Sequence, residues 1–399
     1  MRQIAPPGSY HDEREIEAIT ELLRNSHLMI GENVAAFEQQ VAALMSKRHG
    51  VMVNSGTSAL YLALDLLDLQ PGDEIITSVL TFSADIAPMV RAGVVPAFVD
   101  VDETGYQIDV SRIEEMVSDR TRAILTPNLI GNCPDWDVIR EIADRHDLLV
   151  VEDTCDVLGD TLLRGTRTGT RADIGVTSFA VTHSITAAGG GGLVGLDDES
   201  LLDRGLVKRR WGRRSERYLF GSKRGQTDRF SATVDGLAYD NIFVFDEPLV
   251  WNFEPTELAA TFGLVQLEKL AEFNRRRREN FARYDEWFLL HEDRFIRPTT
   301  TPELETTWML YPYMVRPGSG LTRSETQELL EKQGVPTRVV WSGNITRQPG
   351  FAGIERREPR DGFPNADRVM EHALMLPTHQ GLTDDDVDYV IEVLEKSLT

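Results

Sequence analysis

Apolar residues recur every three or four positions over 12–24 (DEREIEAITELLR) and 34–47 (VAAFEQQVAALMSK), the period of an amphipathic helix, so the chain opens in two helices. From Val51 the pattern shortens into β-rich runs alternating with helical stretches. VMVNSGTSALYLALDLL reads as strand, turn and helix, and GDEIITSVLTFSADIAPMVRAG, VVPAFVDVD, TRAILTPNLIG, DLLVVEDTCDVLG and DIGVTSFAV continue in the same style. This alternation predicts an α/β fold, a mostly parallel central sheet covered by helices, with the strands ending near Leu196. A polar, loop-rich stretch follows from about Arg209 to Pro248, and then one long helical pattern over 254–290. WMLYPYMVRP, TRSETQELLEKQG and DDDVDYVIEVLEKSL predict a smaller α+β lobe at the C-terminus. The division is therefore 1–250 for the opening helices and large α/β domain, and 251–399 for the linking helix and small domain. With no internal repeat and no low-complexity linker, the lobes are expected to pack as one unit.

Composition narrows the function. Hydrophobic residues at 41% and charged residues at 27% are ordinary for a folded globular chain of 399 residues. Asp and Glu (64) outnumber Lys and Arg (42), and the net charge of −22 repels a polyphosphate backbone, so no nucleic-acid partner is expected. No run approaches the roughly 18 apolar residues of a membrane span, and the N-terminus has no apolar export segment; a cytoplasmic protein without a membrane partner is expected. Cys133 and Cys155 are the only cysteines. They cannot supply four thiolates, so no iron–sulfur cluster and no metal site is expected.

Several motifs bear on chemistry. Gly190, Gly192 and Gly195 satisfy GxGxxG, but LVGL after them reads as a strand where a dinucleotide site needs a helix. The run RRRR at 275–278 lies on the long helix and reads as a solvated face with salt bridges to nearby Glu. KRRWGRRSER (208–217) lies in a loop and is either plain surface or a holder of small-ligand phosphates. NSGTSAL (54–60) places free N–H groups at a helix N-terminus, where an anion is favoured; Ser55 or Thr57 as a helix cap explains it equally well on its own. Three more elements sit at predicted strand ends: EDTCD (152–156) with its carboxylates, TF (81–82) with an aromatic ring, and SFAVTH (178–183) with a hydroxyl and an imidazole. Together they make a site for a flat, phosphorylated pyridine.

On these motifs the chain resembles the fold-type I, pyridoxal-phosphate-dependent sugar aminotransferases and their 3-dehydratase relatives. The resemblance runs nearly the whole length, from EIEAITELL and GENVAAFEQQVA through NSGTSAL, LTF, VPAFVDVD, VVEDTCDVLG, ADIGVTSF and WNFEPTELAATFGLVQLEKLAEFN to LPTHQGLTDDDVDYVIEVL. It implies that Gly56, Thr57 and Ser178 hold the cofactor phosphate, Phe82 stacks on the pyridine ring, Asp153 pairs with the pyridinium nitrogen and Asp156 sits beside the ring hydroxyl. It also implies that Asn252 reaches the phosphate of a second subunit, making the protein a homodimer.

The family's catalytic position departs. Aminotransferases of this group read Ser-Phe-x-x-Thr-Lys where this chain reads SFAVTH, so His183 replaces the lysine that bonds the cofactor covalently. Of the six lysines, 47, 269, 332 and 396 read as helix-surface residues, and 208 and 223 belong to the downstream basic loop. None takes over. An isolated histidine is usually inert, but here a group that changes charge near neutral pH suits a proton shuttle. Histidine at this position marks the nucleotide-sugar 3-dehydratases, and TRVVWSGNITRQPGF (337–351), NLIGN (128–132) and EDTCDVLG resemble theirs. HSITAAGGGG lacks their second histidine and glutamate, NSGTSAL is the aminotransferase spelling, and Glu254 stands where a basic residue is usual.

The resemblance thus implies a C-3 dehydratase of a nucleotide-linked 4-keto-6-deoxy sugar. Pyridoxamine or pyridoxal phosphate would be held non-covalently and the amine restored by L-glutamate rather than through an iron–sulfur cluster. Trp211, Arg213, Asn344 and Arg347 are candidates for the sugar nucleotide. The competing readings are a non-catalytic regulatory or scaffold homologue and pyridoxamine-dependent chemistry on a different substrate.

Overall fold

The computed structural model describes residues 2–25, 28–226 and 228–398. It opens with α1 (Glu13–Arg24) and α2 (Glu32–Leu44), followed by β1 (His49–Val53), α3 (Gly56–Leu66), β2 (Glu74–Ser78), α4 (Ser83–Arg91), β3 (Val95–Val99), β4 (Thr121–Pro127), α5 (Trp136–His146) and β5 (Leu149–Asp153). A small hairpin, β6 (Leu162–Leu163) and β7 (Thr166–Arg167), precedes β8 (Ile174–Ser178) and β9 (Gly192–Leu196). The polar stretch after it contains α6 (Glu199–Arg209), one-turn α7 (Glu216–Leu219) and an exposed hairpin, β10 (Ala232–Val234) with β11 (Leu237–Tyr239).

Seven strands form the central sheet in the order β1-β9-β8-β5-β4-β2-β3. From β8 through β3 all pairings are parallel, while β9 runs antiparallel to both of its neighbours. The mostly parallel sheet read from the sequence is therefore present. Burial on both faces explains the unbroken apolar runs. Leu62, Ala63 and Leu66 of α3 pack against Val51, Ile75 and Val194 on one side, and Trp136, Ile139 and Ile142 of α5 against Ile76, Ile124 and Val150 on the other. After β2 the chain first adds β3 outward and then returns to place β4 on the opposite side of β2. That reversal opens a crevice at the carboxyl ends of the strands.

One long helix, α8 (Glu257–Leu289), spans about 50 Å at 1.5 Å per residue. Its start secures the opening helices: Gly31, the N-cap of α2, has no side chain to offer, and Glu257 instead accepts the N–H groups of Gly31 (2.8 Å) and Val34 (2.9 Å). Further along, Lys269 donates to the fully buried Glu15 of α1 (2.7 Å). Lys269, and likewise Lys47, which pairs with the half-exposed Asp197 (2.9 Å), are thus buried and not the surface residues expected, because each ammonium is neutralised by an acid, Lys269 by one in the interior and Lys47 by one at its edge. Past α8, β12 (Phe295–Ile296), β13 (Leu304–Glu305), β14 (Leu310–Val315), α9 (Arg323–Lys332), α10 (Pro364–His372), β15 (Ala373–Pro377) and α11 (Asp384–Glu395) complete the chain. β12, β14 and β15 form an antiparallel sheet around an aromatic core of Tyr284, Phe288, Phe295, Tyr311 and Tyr313. The start of the chain packs here: Ile4 joins that core and its N–H bonds the Gly334 carbonyl (2.9 Å). Among the described residues, no helix is long and apolar enough to cross a membrane.

The glycines of the GxGxxG coincidence have a packing role. A Cβ on Gly192 would lie 2.4 Å from the Ser55 carbonyl oxygen and 2.7 Å from the Gly56 nitrogen, both backbone atoms that cannot rotate away. Gly192→Ala is therefore expected to lower stability by about 1–3 kcal/mol, the cost of overpacking, in a denaturant titration.

Candidate cofactor site

Helix α3 begins where β1 leaves the sheet. Ser55, in extended conformation, caps it by accepting the Ser58 N–H (3.0 Å), and the first-turn N–H groups of Gly56 and Thr57 have no partner within the helix. These donors and the helix dipole favour an anion. Gly56 is required by proximity, since a Cβ there would stand 2.6 Å from Cβ and 2.9 Å from Oγ of Ser178 at the end of β8. Gly56, Thr57 and Ser178 thus form one side of a cavity of ≈ 270 Å³.

Acids form another side. Along β5 consecutive side chains alternate faces. Glu152 turns to the α5 side, where it accepts from Asn128 (2.7 Å) and the Gly169 N–H (2.7 Å), and burial pushes its carboxyl up to about 7. Asp153 turns into the cavity, its Oδ1 accepting the Cys155 N–H (2.8 Å); burial raises its carboxyl too. In the turn beyond, Asp156 accepts the Ile130 N–H (2.8 Å) through Oδ2 and directs Oδ1 at His183 Nδ1, 3.5 Å away. Phe82, 57% exposed, offers its ring to the cavity and meets Trp341 edge-on at 6.1 Å between centroids.

His183 lies in the turn after β8, where its N–H bonds the Ala180 carbonyl (3.1 Å). Its Nδ1 is buried without a formed hydrogen bond. Behind it stands Arg277 of α8, 2% exposed, which donates to the carbonyls of His183 (3.3 Å) and Met309 (3.0 Å) and to Gln380 (2.9 Å). Burial brings its guanidinium down to about 10, and the Asp156 charge works against that fall. The arginine run is thus not one solvated face: Arg275 does pair with Glu272 and Glu279 at the surface, but four successive positions span some 300° of a helix, and Arg277 faces inward.

This arrangement has precedent. The sequence profile of the DegT/DnrJ/EryC1/StrS aminotransferase family matches residues 9–395. The chain belongs to that family. Members depend on pyridoxal phosphate. One relative, dTDP-4-dehydro-2,6-dideoxy-D-glucose 3-dehydratase of Saccharopolyspora spinosa, is 34% identical over 400 residues, covering 98% of this chain and 85% of its own. Crystal structures of GDP-4-keto-6-deoxymannose-3-dehydratase superpose with a TM-score of 0.87. One, with bound GDP-perosamine, is 27% identical and the other, with a trapped PLP-glutamate geminal diamine, 28%; each pair covers 98% of this chain and 100% of the other. The fold-type I aminotransferase-like architecture read from the sequence is therefore the fold of this DegT/DnrJ/EryC1/StrS member.

The fold gathers Gly56, Thr57, Phe82, Asp153, Asp156, Ser178 and His183 around one cavity. It does not bring the remaining candidates there. Asn252 is exposed, next to Phe253, whose carbonyl accepts the Asn54 N–H (3.1 Å). Trp211 packs under the guanidinium of Arg213 (4.3 Å to the ring centroid) in the loop after α6. Asn344 and Arg347 both bind Asp367 in a separate hollow. Sequence reasoning missed Asp85, Trp341 and Arg277. Asp85 lies only three positions past Phe82, Trp341 lies inside the quoted 337–351 segment, and the helical spread of four arginines required one to point inward.

Two variants test this geometry. Asp153→Asn and Gly56→Ala are each expected to weaken pyridoxal phosphate binding about 10- to 100-fold, the worth of one hydrogen bond to a charged group. Equilibrium dialysis of the two proteins against wild type measures it.

Proposed function

We propose that this family member is a C-3 dehydratase of a nucleotide-linked 4-keto-6-deoxy sugar, using pyridoxamine phosphate held without a covalent bond. One observation carries this reading: an imidazole, His183, lines the cavity where the family's aminotransferases place a lysine, and none of the lining residues is a lysine. The residues present suit the cofactor. Its phosphate fits the unpaired donors of α3 with Ser178, its flat ring fits beneath Phe82, and its ring nitrogen suits the buried, cation-free carboxyl of Asp153. When bound, the cofactor supplies an amine that condenses with a ketone and a ring that accepts an electron pair.

The protein's part is proton placement. Asp153 holds the proton on the pyridine nitrogen, which keeps the ring electron-poor. His183 has Nδ1 turned to Asp156, leaving Nε2 to take the proton from the carbon bearing the cofactor amine. The same imidazole, now cationic beside Asp156, returns a proton to the departing C-3 hydroxyl, which leaves as water. Arg277 holds the His183 backbone so that one residue can serve both roles. Pyridoxamine phosphate would supply the nitrogen that ends as ammonia, and L-glutamate is the proposed donor that would restore it, in line with the glutamate adduct of the similar dehydratase. Asn252 of the partner subunit is proposed to complete the phosphate site in a homodimer, and Trp211, Arg213, Asn344 and Arg347 to meet the sugar nucleotide.

The decisive assay combines purified protein, pyridoxamine phosphate and a panel of 4-keto-6-deoxy sugar nucleotides, with 3-deoxy product and ammonia as the expected result. His183→Asn should retain cofactor and lose about 10²- to 10⁴-fold in dehydration. Near-wild-type turnover in that variant removes His183 as the catalyst. Borohydride treatment of the pyridoxal form should leave no pyridoxyl-lysine in the mass spectrum, and an adduct on any lysine contradicts non-covalent binding.

A further inference from the structure

The proposed reaction leaves one buried acid of the cavity unused. Asp85, in the first turn of α4, is 1% exposed and lines the same cavity as Asp153. Its Oδ2 accepts the Thr81 hydroxyl, while Oδ1 is buried with no hydrogen-bond partner. Asp153, from β5, lines the same cavity and is the acid whose charge bears most on Asp85. The other titratable groups around the pair are Cys155 and Asp156 from the turn after β5, with His183 and then Arg277 beyond Asp156. Among the described residues, no lysine or arginine is ion-paired with Asp85 or Asp153. Burial first, and the Asp153 charge second, raise the Asp85 carboxyl well above its ordinary range.

Two buried carboxylates that share one cavity wall without a cation cannot both stay ionised. Thr81 already occupies one oxygen of Asp85 as a donor, so the free Oδ1 is the atom left to carry a proton. We propose that Asp85 and Asp153 share a single proton, which Asp85 carries and donates to Asp153. Asp85 is then a positioning residue: it fixes one Asp153 oxygen, leaves the other for the cofactor's ring nitrogen, and moderates how strongly Asp153 attracts that nitrogen's proton. This rests on the assignment of Asp153 to the ring nitrogen, which the Asp153→Asn affinity measurement tests separately.

The proton has a consequence for the protein without cofactor. Above the ordinary carboxylate range the folded chain keeps a proton that the unfolded chain releases, so stability declines as pH rises until Asp85 ionises. Asp85→Asn keeps a donor of the same shape without the titration, and should flatten that decline.

The direct test is infrared difference spectroscopy of the cofactor-free protein at neutral pH, wild type minus Asp85→Asn. A deuterium-sensitive carbonyl band of a protonated carboxyl is expected. Its absence overturns the proposal. In the loaded protein, ring-¹⁵N pyridoxal phosphate should give the same nitrogen shift in wild type and Asp85→Asn and a displaced shift in Asp85→Ala, which lacks the donor. One common shift in all three proteins overturns the positioning role. Because the infrared band is read without cofactor, its loss is distinct from a failure of the dehydratase reading.

Discussion

Burying carboxylates is costly: each ion taken out of water loses several kcal/mol of solvation unless a counter-charge or proton replaces it. This protein sets Asp85, Asp153 and Asp156 around one cavity, and much of the local structure answers that cost. Asp156 is answered by the Ile130 N–H, by His183 and, at longer range, by Arg277. Asp153 is answered by the thiol and the N–H of Cys155, with acids as its charged neighbours. A site left so poor in positive charge is one that a protonated pyridine would complete.

The opposite side has the reverse polarity. The start of α3 presents N–H donors and the positive end of a helix dipole. The cavity is thus polarised, with donors for an anion on one side and acids for a cationic ring nitrogen on another. Such a field would favour one orientation of a zwitterionic, phosphorylated pyridine. Two glycines make this possible, because Gly192 lets the Ser55–Gly56 backbone lie on β9 and Gly56 lets α3 approach Ser178.

The chain beyond α8 meets the cavity at the same place. Trp341 closes over Phe82, and Ser342 bonds the Thr81 carbonyl (2.6 Å), so that this later part of the chain touches the segment carrying both Phe82 and Asp85. Helix α8 joins this arrangement from behind: it pairs with α1 through Lys269 and Glu15 and reaches His183 through Arg277. The position of the imidazole therefore depends on residues almost a hundred positions away.

Periodicity alone determined the alternation of strands and helices, and hence the mostly parallel sheet, because a buried parallel strand must be apolar throughout and its helices must carry one apolar stripe. The strand-end motifs, NSGTSAL, TF, EDTCD and SFAVTH, pointed to seven of the cavity residues, since the carboxyl edge of such a sheet is where ligands bind. Burial of the charged side chains was decided only in three dimensions. Lys47, Lys269 and Arg277 read as surface residues in a linear chain and become interior ones when Asp197, Glu15 and Asp156 arrive from elsewhere. Asp85 is the same case with the opposite outcome. It reads as an ordinary acid in the first turn of a helix, and only the fold sets it on the same cavity wall as Asp153 with no cation paired to either, because a meeting of distant elements leaves no periodic trace in the sequence.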